Sequence, residues 1–232
     1  MTEQKKDNGL NNLLINIVVP SLILMKGKKF LPLDSTQILL LALAFPLCYG
    51  LYDLFVKKEK NFVSILGFVS ILLSGIVGVL ELSTELIAIK EAAVPFIIGC
   101  VILISNFTKK PLAPKFLYHD EIFNKKNINE KLDDQGHAQI DSILKKASIF
   151  LFLSFIFSAV MNFALAKYFV QSDAGTEAFN EELGQMTLYS YPIIVIPSIV
   201  IMVLIMRYIY ISIKKLTGLT SKTILTFQQE EA

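Results

Sequence analysis

Residues 86–106, LIAIKEAAVPFIIGCVILISN, decide how the whole chain is read. The stretch has about the 20 residues that a helix needs to cross the hydrocarbon of a bilayer. Yet it carries Lys90 and Glu91 side by side, and Pro95 follows four residues after the carboxylate. A proline lacks an N–H and clashes with the carbonyl four residues back, which here is that of Glu91. An ammonium, a carboxylate and a released backbone oxygen thus meet in one place. Each charge costs roughly 2.5–3.5 kcal/mol at a helix centre on insertion scales. Groups kept at that cost call for partners.

Five further apolar blocks flank this one, at 10–25, 35–56, 62–80, 147–170 and 188–211. All but the first have the length of a membrane span. The expected fold class is all-α: a single polytopic membrane domain over 1–232 with about six transmembrane helices, its kinks set by Pro20, Pro95, Pro192 and Pro197. The composition agrees, with 53% hydrophobic residues, 18% charged residues and a mean hydropathy of +0.56. A net charge of only +2 offers nucleic acid no general field. Of the basic residues only Arg207 is an arginine, so clustered guanidinium recognition of phosphate is excluded. Cys48 and Cys100 lack the spacing of a zinc or redox site and read as small buried hydrophobes.

The N-terminus imitates a signal peptide, with two lysines ahead of an apolar run. Three asparagines interrupt that run and no small-residue cleavage site follows, so 10–25 reads as a retained first element that spans or re-enters. Lysines set the orientation. Segments 57–61, 107–146 and the tail are lysine-rich, whereas 81–85 and 171–187 hold only acidic charges. The lysine-rich segments are expected in the cytoplasm, with both termini on that side. Loop 26–34 opposes this, because it falls outside yet carries Lys26, Lys28 and Lys29.

The connection 107–146 opens with Lys109, Lys110, Pro111 and Pro114, which end the preceding span. Residues 127–133 read as a short capped turn with Asn127 as N-cap and Glu130 three on. From Ala138 onward, helical spacing leads into the fifth span. The tail after Thr217 is expected to fray. VVPSLILM at 18–25 and VIPSIVIM at 195–202 share four identities in eight, a faint internal repeat of the kind found in transporters with broken helices. Common aliphatic-proline strings explain it equally.

The candidate polar site is Lys90, Glu91, Asn162, Asn16 and Tyr191. Asn16 stands to Pro20 as Glu91 stands to Pro95. Adjacent residues on a helix point about 100° apart, so Lys90 and Glu91 are each expected to find a separate partner. They either snorkel to the surface or face the bundle interior as a proton or cation site. Asn162, Lys167, Tyr189, Ser190, Glu81, Glu85 and Asn180 fall towards the same side and are expected to line a pocket with them. Gly67, Ser70, Ser74, Gly75 and Gly78 read as a close-packing face. No enzyme signature, metal-ligand spacing or cofactor motif stands out, and His119-Asp120-Glu121 reads as a solvated loop.

NNLLINIVVP (11–20), YGLYD (49–53), NFVSILG (61–67), KEAAVP (90–95), FNEELG (179–184), YSYP (189–192) and KLTGL (215–219) resemble a family of uncharacterised multi-pass bacterial inner-membrane proteins. More remotely, the layout is similar to the intracellular septation protein A family, with Lys90 entering the fourth span and Asn162 late in the fifth. The absence of Trp departs from that family's aromatic-rich motif. The resemblance implies an inner-membrane protein linked to envelope integrity and division, and it carries no catalytic residues. Expected partners are membrane lipids, a second copy of the chain, or envelope and division proteins. The functional expectation is a small transporter or envelope-maintenance protein; the alternative is a non-catalytic scaffold.

Overall fold

In the computed structural model, residues 14–55, 72–108 and 111–226 are described. Every regular element among them is helical, apart from an isolated bridge between Phe123 and Leu225. A π turn, Leu14–Val18, leads into α1 (Val19–Phe30), and α2 is Ser35–Phe55. Helix α3 is described over 72–79, and α4 is Glu85–Ser105. Two short helices follow, α5 (Ala113–Leu117) and α6 (Lys125–Asn129), and then the long α7 (Asp134–Phe169). Helix α8 (Glu177–Ser190) runs through a second π turn, Tyr191–Val195, into α9 (Ile196–Thr217), and α10 is Ser221–Ile224.

Four helical runs are long and apolar enough to cross a membrane: Ser35–Tyr52, Glu85–Ser105, Asp134–Phe169 and Glu177–Thr217. Their outward faces are apolar. Helix α9 buries Ile205, Ile209 and Ile213 at four-residue spacing, while Ile199, Val200, Val203 and Leu204 stay exposed. Water would penalise such a continuous apolar face; hydrocarbon would not.

Four runs stand where six spans were expected. The first block is helical from Leu14 to Phe30, but it ends in Lys26, Lys28 and Lys29. Of the block 62–80, residues 62–71 lie outside the described residues. The last span does not start at 188, because helix already begins at Glu177. Its amphipathic first part buries Phe179, Leu183 and Met186, so packing on one face holds a stretch whose mean hydropathy looks like a loop.

Local caps explain the other boundaries. Asp34 and Gln37 bond reciprocally at the start of α2, Asp34 Oδ1 accepting from the Gln37 N–H at 2.8 Å and Gln37 Oε1 from the Asp34 N–H at 3.0 Å. Thr176 caps α8 by accepting from the Phe179 N–H at 3.1 Å. Asp133 accepts from the Gly136 N–H at 2.7 Å, so α7 starts before Ala138. The cap of α6 is Asn124 rather than Asn127: the Asn124 Oδ1 accepts from the Asn127 N–H.

The chain divides into two compact units, one of 1–94 with 159–196 and one of 95–158 with 197–232. Two of the boundaries fall at Pro95 and Pro197. The first unit is centred on Leu39, Ala42, Ile87, Ala166 and Phe179. Helices α1 and α8 lie antiparallel in it, as Lys28 meets Glu177 at 3.2 Å while Gly184 meets Ser21. A Cβ at Gly184 would stand 2.8 Å from the Ser21 carbonyl oxygen, so only glycine permits this approach.

The second unit is centred on Leu117, Phe123, Ile128, Ile209 and Ile224. Here the expectation of a frayed tail is corrected for residues 218–226, while 227–232 lie outside the described residues. The Asn124 N–H donates to the Ile224 carbonyl at 2.8 Å, the Thr226 N–H to the Ile122 carbonyl at 3.1 Å, and Asn127 Nδ2 to the Thr223 carbonyl at 3.3 Å. Residues 218–226 and the connection after α4 thus form one folded cap. Leu219, Ile224 and Leu225 supply its apolar contacts within an otherwise polar tail. Cys48 is exposed on α2 rather than buried, and Cys100 is half-buried.

Candidate functional site

Helix α4 opens on Ser83, whose Oγ accepts from the Glu85 N–H. Five residues into the helix, roughly 7.5 Å along its axis, Lys90 is only 8% exposed. Its Nζ lies 2.5 Å from Ser74 Oγ on α3 and 2.5 Å from Glu91 Oε1. Glu91 is 24% exposed. The ammonium therefore has two acceptors, one of them charged, and an ammonium has three donors. The long lysine stem lets Nζ reach the neighbouring carboxylate despite the 100° step between their Cα–Cβ bonds. The expectation that the two would find separate partners fails for that reason.

Ser74 is the residue that sequence reasoning missed. It was placed on a close-packing face, and it is buried there. A hydroxyl on such a face, opposite an apolar helix bearing one lysine, was the available signal. Below the pair, Pro95 sits buried inside an unbroken α-helix, so the Glu91 carbonyl loses its usual i+4 donor.

The other candidates lie on other elements. Asn16 sits in the first π turn, its Oδ1 buried without a hydrogen-bond partner among the described residues. Asn162 is half-buried on α7, and Tyr191 opens the second π turn half-buried. Pro20 and Pro197 each follow two positions after the last residue of a π turn, and Pro192 lies within the second. Each π turn substitutes i+5 bonds for i+4 bonds, as when the Ile196 N–H donates to the Tyr191 carbonyl. The two repeat segments thus share one local structure in one register.

The wider set gathered by sequence is distributed over loops and helix ends. Lys167 pairs with Glu85 at 2.9 Å, both exposed. Glu182 accepts from the Gln171 N–H, the Ser172 N–H and the Ser172 hydroxyl at 2.9, 2.8 and 2.7 Å, fixing the turn after α7. Asn180 donates to the Ser35 carbonyl at 2.7 Å. Tyr189 stacks on Phe169, with ring centres 5.2 Å apart. Of the lysines in loop 26–34, Lys28 is answered by Glu177 of α8. Gly175, at φ +85°, lies against the Glu81 carboxylate, itself on a residue at φ +50°.

No family model, curated protein or solved structure matches this chain. The family resemblance rests on the quoted residues alone.

Proposed function

We propose that this chain is a multi-pass membrane protein that moves a small solute or ion through a polar site built on Lys90, Glu91 and Ser74. One observation carries the reading: a lysine 8% exposed, bonded to a carboxylate and a hydroxyl, on a helix apolar enough to cross a bilayer. Intramembrane ionisable groups of this kind mark ion and substrate pathways by default. The pair is neutral as a unit. Proton transfer from Lys90 to Glu91 keeps it neutral; a cation bound at Glu91 keeps the site neutral when Lys90 releases its proton, and an anion bound at Lys90 keeps it neutral when Glu91 takes one up. The inner-membrane location, supported by the family resemblance, and the cytoplasmic termini, supported by the lysine distribution, belong to the same proposal.

The test is flux in proteoliposomes holding a pH-sensitive dye, challenged with single ions and small solutes. Wild-type protein should change the internal pH or the membrane potential for one of them, and Lys90→Met should abolish the change. Equal flux from both proteins would sink the reading. A scaffold for envelope or division partners is the second reading, favoured by the folded cap of the second unit, which exposes Phe116. Scrambling surface positions within 115–135 should then remove function while Lys90→Met leaves it intact.

A further inference from the structure

In the second unit, a cleft of about 310 Å³ opens beside the end of α4. That volume lies at the small end of ligand-holding pockets, about 300–1,000 Å³. Asn106, Pro111, Pro114, Asp141, Leu144 and Lys145 line it. Its level in the chain is informative. Asn106 directly follows the apolar run that ends at Ser105, and Lys145 and Lys146 directly precede the apolar part of α7. In a spanning helix, those are the positions of the headgroup layer.

The charges are arranged as a dipole. Asp141 and Lys145 are four apart, hence on one face of α7, about 6 Å along its axis. No ion pair joins them among the described residues. Asn106 contributes an Oδ1 that is buried and without a hydrogen-bond partner there. Prolines and Leu144 supply apolar walls, and the lining contains no aromatic ring.

We propose that this cleft binds the headgroup of a zwitterionic phospholipid carrying a primary ammonium. The ammonium sits against Asp141, and the phosphate sits against Lys145. A two-carbon bridge between phosphate and ammonium fits within one helical turn. The chemistry discriminates. A quaternary ammonium has no N–H to donate and is held by aromatic faces, which the cleft lacks. A purely anionic headgroup leaves Asp141 unanswered and brings like charge to it.

The proposal rests on the spanning reading, and its test separates the two. Full-length protein in detergent is titrated with phosphatidylethanolamine, phosphatidylcholine or phosphatidylglycerol, and bound lipid is counted by native mass spectrometry. The ethanolamine lipid should be retained about tenfold over the others, the worth of one charge-assisted hydrogen bond. Asp141→Asn should bring it near parity with the glycerol lipid, and Lys145→Gln should weaken both. Asp141 is exposed, so its substitution should leave the helical circular dichroism unchanged. Parity in the wild type, or an unaltered preference in Asp141→Asn, overturns the proposal. Equal competition by water-soluble glycerophosphoethanolamine also overturns it, in favour of a solute site. Loss of the protein from alkali-washed membranes overturns the spanning reading and this proposal together; retention with lipid parity overturns this proposal alone.

Discussion

The two units place their polar groups differently. In the unit of 1–94 and 159–196, a charged pair is buried between α3 and α4, and further polar oxygens at Asn16, Ser21 and Asn180 are buried without partners among the described residues. In the unit of 95–158 and 197–232, most polar bonds serve as caps and turns around an aliphatic core, and two oxygens, Asn106 Oδ1 and the Tyr118 hydroxyl, are buried without partners among the described residues. Buried unanswered oxygens each cost about 1–3 kcal/mol and occur in both units, whereas a buried, ion-paired lysine belongs to the first alone among the described residues. The second unit is built like an ordinary small core, in which side-chain volume decides stability.

Breaking the charged pair should produce the largest effect. Glu91→Leu leaves the Lys90 ammonium buried with only a hydroxyl, a loss of about 3–5 kcal/mol for a broken buried pair. Thermal unfolding in detergent measures it. Adding Lys90→Met should recover most of the loss, since an apolar pair of similar volume replaces the ionic one. An unchanged midpoint in Glu91→Leu would remove the contrast between the units.

Next comes the core of the second unit. Ile224→Ala should cost about 3 kcal/mol, because the residue is fully buried and a cavity remains. Hydrogen exchange should show the loss at 112–128 and 218–226, the segments that close over it. A tail that merely frayed would show no change. Gly184→Ala should cost about 1–2 kcal/mol, since its methyl would meet the Ser21 carbonyl oxygen and α1 must move away. Protection lost in α1 and α8 but not in α10 would sharpen the division.

The smallest effect is pH-dependent. Tyr118 is pushed up from 10.0 to about 12, chiefly by burial and then by the charge of Asp120. The folded state therefore holds this proton more tightly than the unfolded chain. Its contribution is fully present below pH 10 and is lost as pH rises towards 12. Tyr118→Phe should flatten that slope at little cost, because the hydroxyl has no hydrogen-bond partner among the described residues. An equal slope in both proteins would assign the alkaline loss elsewhere.

Much of this was legible from residue order. The blocks 35–56 and 86–106 match Ser35–Phe55 and Glu85–Ser105 within one residue, because runs of aliphatic side chains bounded by Asp34, Thr84 and the prolines after Asn106 leave few alternatives. Lys90 and Glu91 were legible as residues needing an answer, but Ser74 was not, since a small residue on a helix face looks the same whether it packs or bonds. The amphipathic α8 and the tail to Thr226 were missed for a shared reason. Their few apolar residues gain weight only through contacts far along the chain, and mean hydropathy over a window does not register them.

The matched π turns carry one more implication. A π turn holds one residue beyond an ordinary helical turn, so it amounts to a single-residue insertion absorbed without breaking the helix. Side chains of α8, upstream of Tyr191–Val195, are thereby rotated by about 100° relative to an uninterrupted wheel. Trimming one residue from the second turn should yield a plain α-helix in which the side chains of α8 turn towards different neighbours.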